Sequence, residues 1–189
     1  ALAIDGRGEL LARYDKRHLL PLAEGWPLPE ALRWISPRSG TFSAGTRPAV
    51  VDLGVASVGV TICLEDALLD GWRSPGGAEP DLFLNLTNDS WFAGSSEPVA
   101  HLALARLRAI EHGRYLVRAT AGGVTAVVDP SGRLLASLDP EDDGELLADV
   151  PQLRERTPFA RFGHAPLAFA SALLLALARW LNRGASAPS

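Results

Sequence analysis

Ser57-Val58-Gly59-Val60-Thr61-Ile62-Cys63-Leu64-Glu65 alternates small or polar residues with branched apolar ones, the pattern of a strand packed on at least one face. It ends at Cys63, the only cysteine in the chain. Glu65-Asp66-Ala67-Leu68-Leu69 then reads as the first turn of a helix, with acidic residues where a helix N-terminus favours them. A cysteine at a strand-to-helix turn has its sulfur at the edge of a sheet. Nearby backbone N–H groups there stabilise a thiolate and then an oxyanion. Taken alone, the stretch also fits an inert core thiol, the commoner role of a lone cysteine after an apolar strand.

Outward from this strand, the chain predicts an α/β domain. Upstream, Ala49 to Leu53 reads as a short strand turned at Gly54. Residues 1–16 read as a hairpin through the Asp5-Gly6-Arg7-Gly8 turn, and Glu30 to Trp34 as a short helix. Residues 36–47 and 71–80 have loop composition. Downstream, Asp81 to Asn88 is the next buried strand. It runs into Asp89-Ser90-Trp91-Phe92, two large aromatics in a polar loop that cover core or line an apolar pocket. Glu97 to Gly113 is the clearest helix, with Val99, Ala103, Leu107 and Ile110 on its expected apolar face and Gly113 as its C-terminal stop. Tyr115 to Thr120 is a strand. Val124 to Asp129 and Arg133 to Leu138 form a hairpin, and Glu145 to Val150 reads as a last short strand.

The 189 residues suffice for one domain with a core, and a net charge of -4 mixed along the chain gives no sign of nucleic-acid binding. One cysteine excludes an internal disulfide. With no methionine and a start at Ala1, the sequence reads as a processed chain or a fragment, and no secretory signal is visible at its start. No clustered His/Cys set and no phosphate-binding glycine loop stand out, so neither a metal nor an organic cofactor is expected. Phe162 to Ala178 carries no Asp, Glu, Lys or Arg, and Arg179-Trp180 follow where a snorkelling cation and an interfacial aromatic belong. Residues 162–181 are therefore expected to span a membrane rather than to lie buried in a soluble core. The expected division is a domain over 1–150, a juxtamembrane linker over 151–161, the span, and a tail over 182–189.

Several motifs in order resemble the nitrilase (carbon–nitrogen hydrolase) superfamily, and within it the bacterial apolipoprotein N-acyltransferases. They are Tyr14-Asp15-Lys16-Arg17-His18-Leu19-Leu20-Pro21, Gly59 to Glu65, Asn88-Asp89-Ser90-Trp91-Phe92, His101 to Glu111, Arg118-Ala119-Thr120, Gly123-Val124-Thr125-Ala126 and Thr157 to Gly163. The resemblance implies part of an α-β-β-α sandwich followed by one transmembrane helix, with a Glu-Lys-Cys triad. Cys63 would be the nucleophile, Lys16 the triad lysine, and the Leu64 N–H an oxyanion donor. Glu24 and Glu65 match supporting acidic positions, and Trp26, Asn88, Trp91 and Phe92 match an acyl pocket or lid. The implied reaction moves a fatty acyl chain from a phospholipid, through a Cys thioester, to the N-terminal amine of a diacylglyceryl-cysteine lipoprotein. The implied place is the bacterial inner membrane, with the domain facing the periplasm.

The chain departs from that pattern at Leu22-Ala23-Glu24-Gly25, where the family has Phe-Gly-Glu-Tyr, and at Leu64, where an aromatic is common. The resemblance also puts the triad glutamate upstream of Ala1, so the chain by itself is expected to be inactive. Two other readings stand beside the acyltransferase: a nitrilase-like amidase with a membrane tail, and a non-catalytic membrane-anchored remnant.

Overall fold

The structure is a computed structural model. It describes residues 1–189 except 27, 29, 36–39, 41, 48, 69–71, 73–78 and 186–189, together with the side chains of 181 and 183–185. Strands β1 (Leu2–Ile4) and β2 (Leu10–Arg13) form the expected hairpin. Six further strands form one mixed sheet: β3 (Val50–Asp52), β4 (Ser57–Ile62), β5 (Leu82–Asn88), β6 (Leu116–Ala121), β7 (Thr125–Val128) and β8 (Leu134–Leu138), ordered β3-β4-β5-β6-β7-β8. β4, β5 and β6 run parallel, and the outer pairs are antiparallel. Helix α1 (Glu97–His112) connects β5 to β6. It stops at Gly113, whose φ of 63° is the left-handed conformation glycine adopts freely.

Alternation along β4 and β5 sorts the core into two faces. Phe83, Leu116, Ala126 and Val128 pack with Leu102, Ala105 and Ala109 of α1 and with Trp72. Val58 and Val60 pack with Tyr14 and Ala49 on the other face. Close approach depends on Gly59: a Cβ there would lie 2.7 Å from the Phe83 ring. The result is an α/β arrangement with a helix on one face of a mixed sheet.

Three expectations are corrected. The apolar face of α1 is not Val99, Leu107 and Ile110, which are exposed; the helix buries Leu102, Ala105 and Ala109 with His101, Arg108 and His112. Small alanines let the helix approach the sheet; His101 pairs with Asp66 and Asp89, Arg108 with Glu111 on its own helix, and His112 packs edge-on against Phe83. Residues 145–150 form no strand. The chain there lies beyond β8, and Leu147 is exposed, so no partner strand supports the alternation.

The third correction concerns the span over 162–181. Residues Glu155–Ser189 form a unit separate from Ala1–Arg154. Within it, α2 (Pro158–Phe162) is capped by the Thr157 hydroxyl and ends at Gly163, and α3 (Ala165–Ala185) starts anew. Its charge-free part, Ala165 to Ala178, is fourteen residues. At 1.5 Å per residue that is about 21 Å, against roughly 30 Å of hydrocarbon. Among the described residues no helix is long and apolar enough to cross a membrane.

Candidate functional site

Cys63 stands where β4 passes into a short 3-10 turn, Cys63–Asp66. Its φ is +56°, a strained value for a non-glycine residue and the geometry of a sharp strand-to-helix elbow. Glu65 holds that elbow. It is completely buried and accepts hydrogen bonds from Ile62 N–H at 2.8 Å, Tyr14 O–H at 2.9 Å, Arg17 N–H at 2.7 Å and His18 N–H at 2.9 Å. One carboxylate thereby joins the cysteine turn to the two residues after Lys16. Burial, with the neighbouring carboxylate adding to it, raises the Tyr14 phenol above its ordinary range, so Tyr14 remains a donor.

Lys16 directs its ammonium to Glu24, 2.6 Å away, with the lysine side chain mostly buried. Glu24 also accepts from Leu20 N–H at 2.8 Å. Burial pushes the Glu24 carboxyl up, but the Lys16 ammonium and the Leu20 N–H outweigh it and hold the group below the usual range.

A cavity of about 740 Å³ opens over Cys63 at the carboxyl ends of the parallel strands. Glu24, Asn88, Trp91 and Phe92 line it, with Leu20, Phe42, Ile62, Leu86, Ala119 and Ala121 making the wall mainly apolar. A second cavity of about 250 Å³ contains Lys16 and shares Glu24, Phe42 and Ile62 with the first. The structure thus gathers Cys63, Glu24, Asn88, Trp91 and Phe92 around one space and sets Lys16 beside it. Trp26 is not in either wall; the Arg33 guanidinium sits 5.8 Å from its ring.

Sequence reasoning missed a buried polar cluster behind the elbow. Arg118 bonds Asp66 through one nitrogen and Asp89 through the other at 2.8 Å. His101 lies between the same carboxylates, Nε2 at 2.7 Å from Asp66 and Nδ1 at 3.1 Å from Asp89. Burial pushes the imidazole pKa down, but the two carboxylates outweigh it and raise it to about 9. Asp89 is held below its usual range, burial being outweighed by His101 and Arg118. Its four members are scattered through the chain, Asp66 in the acidic turn, Asp89 in the polar loop, His101 in α1 and Arg118 in β6, so only their meeting in the fold marks them. Donor atoms of Asp89, Glu97 and His101 lie within 4.8 Å of one another, close enough for a metal ion, but the Arg118 guanidinium already supplies positive charge to that cluster.

Comparison with known proteins agrees with this geometry. The chain is 38% identical over 185 residues to the apolipoprotein N-acyltransferase of Vibrio cholerae, covering 95% of this chain and 36% of that protein. It is 40% identical over 181 residues to that of Bradyrhizobium diazoefficiens, covering 93% and 34%. The chain therefore spans about a third of the length of the curated relatives it matches. Among solved structures, an amidase from Nesterenkonia sp. AN1 superposes with a TM-score of 0.53 at 26% identity, over 73% of this chain and 49% of that one. That amidase carries the acetamide moiety of fluoroacetamide on its active-site cysteine. A carbon-nitrogen hydrolase from Helicobacter pylori, at 15% identity and a TM-score of 0.55 over 75% of this chain and 52% of that one, shares the fold. The sequence profile described as Carbon-nitrogen hydrolase matches residues 1–159, and the chain belongs to that family.

Proposed function

We propose that this chain carries the acyl-transfer site of an apolipoprotein N-acyltransferase. The observation that carries this reading is the large apolar cavity over a strained cysteine, since a short polar amide needs no such wall. In the proposed reaction the Cys63 thiolate attacks the ester carbonyl of a phospholipid. A C–S bond forms, and collapse of the tetrahedral adduct breaks the ester C–O bond, the lysophospholipid oxygen leaving with a proton. The amine of a diacylglyceryl-cysteine lipoprotein then attacks the thioester, forming the amide and releasing the thiolate.

Lys16 and the Leu64 N–H stabilise the oxyanion in this reading. Glu24 keeps Lys16 in place, Glu65 ties the Lys16 segment to the elbow, and Asn88, Trp91 and Phe92 bound the acyl chain. The general base is assigned to none of these residues. Glu65 has its oxygens occupied by four donors, and Glu24 is held in a pair that keeps it ionised. The reading places the chemistry at the periplasmic face of a bacterial inner membrane, within the proposed division of a catalytic domain over 1–150 and a linker and tail beyond it.

The test is to incubate the protein with phospholipid carrying a labelled acyl chain and look for label on Cys63. A hydroxylamine-labile mass increase, absent in Cys63→Ala, is expected. A second reading, an amidase, draws on the likeness to the Nesterenkonia enzyme. Turnover of a short amide with no label from phospholipid would replace the first reading with it. Neither reaction in the intact protein would leave the non-catalytic remnant.

A further inference from the structure

Asn85 belongs to none of the catalytic motifs, yet it grips the Cys63 backbone from inside the sheet. It sits in β5 opposite Thr61 of β4 and Arg118 of β6, and all three are completely buried. Its Nδ2 donates to Thr61 Oγ1 and to the Cys63 carbonyl, each at 3.1 Å. Its Oδ1 accepts from Arg118 at 3.1 Å. Because a guanidinium only donates, the amide oxygen must face Arg118 and the amide nitrogen must face Cys63. Arg118 is itself fixed by Asp66 and Asp89.

A trans peptide is planar, so the Cys63 C=O and the Leu64 N–H point in opposite directions. Asn85 draws that carbonyl toward the buried side of the sheet. The Leu64 N–H is then turned the other way, toward the side on which Cys63 lines the cavity. We propose that Asn85 is a positioning residue for the oxyanion donor: by holding the Cys63 carbonyl, it aims the Leu64 N–H at the oxygen of a carbonyl compound attached to Cys63. This rests on the reading of Cys63 as a nucleophile.

The test compares two reagents on the intact protein in detergent micelles. Decanal adds to Cys63: a C–S bond forms, the C=O π bond breaks, and the oxygen carries the charge before taking the thiol proton as a hemithioacetal. Iodoacetamide is attacked at its methylene, iodide leaves, and no oxyanion forms at the reacting carbon. In Asn85→Leu and Asn85→Asp, the decanal concentration that protects Cys63 from iodoacetamide should rise about tenfold or more, because an oxyanion donor is misaimed. Alkylation by iodoacetamide should stay within about threefold of wild type. Asn85→Asp is the deciding variant where Asn85→Leu fails to fold, since its carboxylate gains Arg118 as an ion-pair partner but cannot donate to the Cys63 carbonyl.

Wild-type protection by decanal in Asn85→Asp, or equal losses with both reagents, would overturn the proposal. If wild type binds decanal but takes no acyl group from phospholipid, the acyltransferase reading fails and the variants still judge Asn85. If phospholipid acylates Cys63 and the variants bind decanal like wild type, only the Asn85 role fails. A wild type that binds no decanal overturns the proposal about Asn85 and leaves the acyltransferase reading to the phospholipid label.

Discussion

Lys16 and Glu24 meet at 2.6 Å on the boundary between two cavities, and their pairing shows what a carboxylate does here. A Glu held below its usual range is a poor proton acceptor at neutral pH, but it is a fixed negative charge that keeps an ammonium from swinging into solvent. Glu24→Gln keeps the shape and removes the charge. Acylation of Cys63 should fall about tenfold as Lys16 loses its fixed place. The melting temperature should change by less than about 4 °C, because a partly exposed pair is worth at most about 1 kcal/mol. Single-turnover labelling and a thermal melt measure both; an unchanged acylation rate would show that Lys16 is held without Glu24. The Lys16, Glu24 and Cys63 motifs were legible in the sequence because each is a compact local run. Trp26 lies outside both cavity walls, with the Arg33 guanidinium 5.8 Å from its ring, a neighbourhood no local run announces.

Between elements, the cluster of Asp66, Asp89, Arg118 and His101 joins the cysteine turn, the aromatic loop, β6 and α1. Its members lie 12 to 52 residues apart, so no local pattern announces them. The same cause explains the misjudged face of α1. Periodicity ranks residues by hydrophobicity, and it could not foresee that His101, Arg108 and His112 would turn inward while Val99 and Leu107 turned out. The strands and the Gly113 stop were readable because they depend on local alternation and backbone freedom.

The cluster carries its own pH dependence. An ordinary histidine has a pKa of 6.5, and His101 is raised to about 9. A group with a raised native pKa contributes stability that is fully present below the unfolded pKa and is lost as pH rises through the native one. His101, facing Asp66, Asp89, Glu97 and Arg118, should therefore stabilise the fold fully below pH 6.5. Between about pH 6.5 and 9 the loss should approach on the order of 3 kcal/mol, from a shift worth about 1.4 kcal/mol per pK unit. Denaturant melts of wild type and His101→Gln across that window check this. The variant should be less stable at pH 6 and should lack most of the decline; parallel curves would show that His101 is neutral in the native state.

For the chain as a whole, function reduces to what fills the 740 Å³ above Cys63. The parallel strands β4, β5 and β6 deliver Ile62, Leu86 and Ala119 to its floor from one row of the sheet, and Trp91 and Phe92 stand at its rim. That floor is built from register across three strands, which is why the sequence suggested an aromatic lid but not the extent of the apolar wall. A wall of this kind discriminates acyl donors by length. Each methylene taken from water into apolar surroundings is worth about 0.8 kcal/mol, up to roughly fourfold in binding. With a series of thiol-reactive acyl esters from two to sixteen carbons, the half-saturation concentration should fall steeply at first and then level off once the chain outgrows the cavity. The maximal acylation rate of Cys63 should vary less, because every ester presents the same carbonyl to the elbow. Substituting Phe92 by Ala should weaken the long esters and leave the two-carbon ester unchanged, since only long chains reach the rim. A flat length profile, or preference for the two-carbon ester, would show that the apolar space does not hold the acyl chain and would favour the amidase.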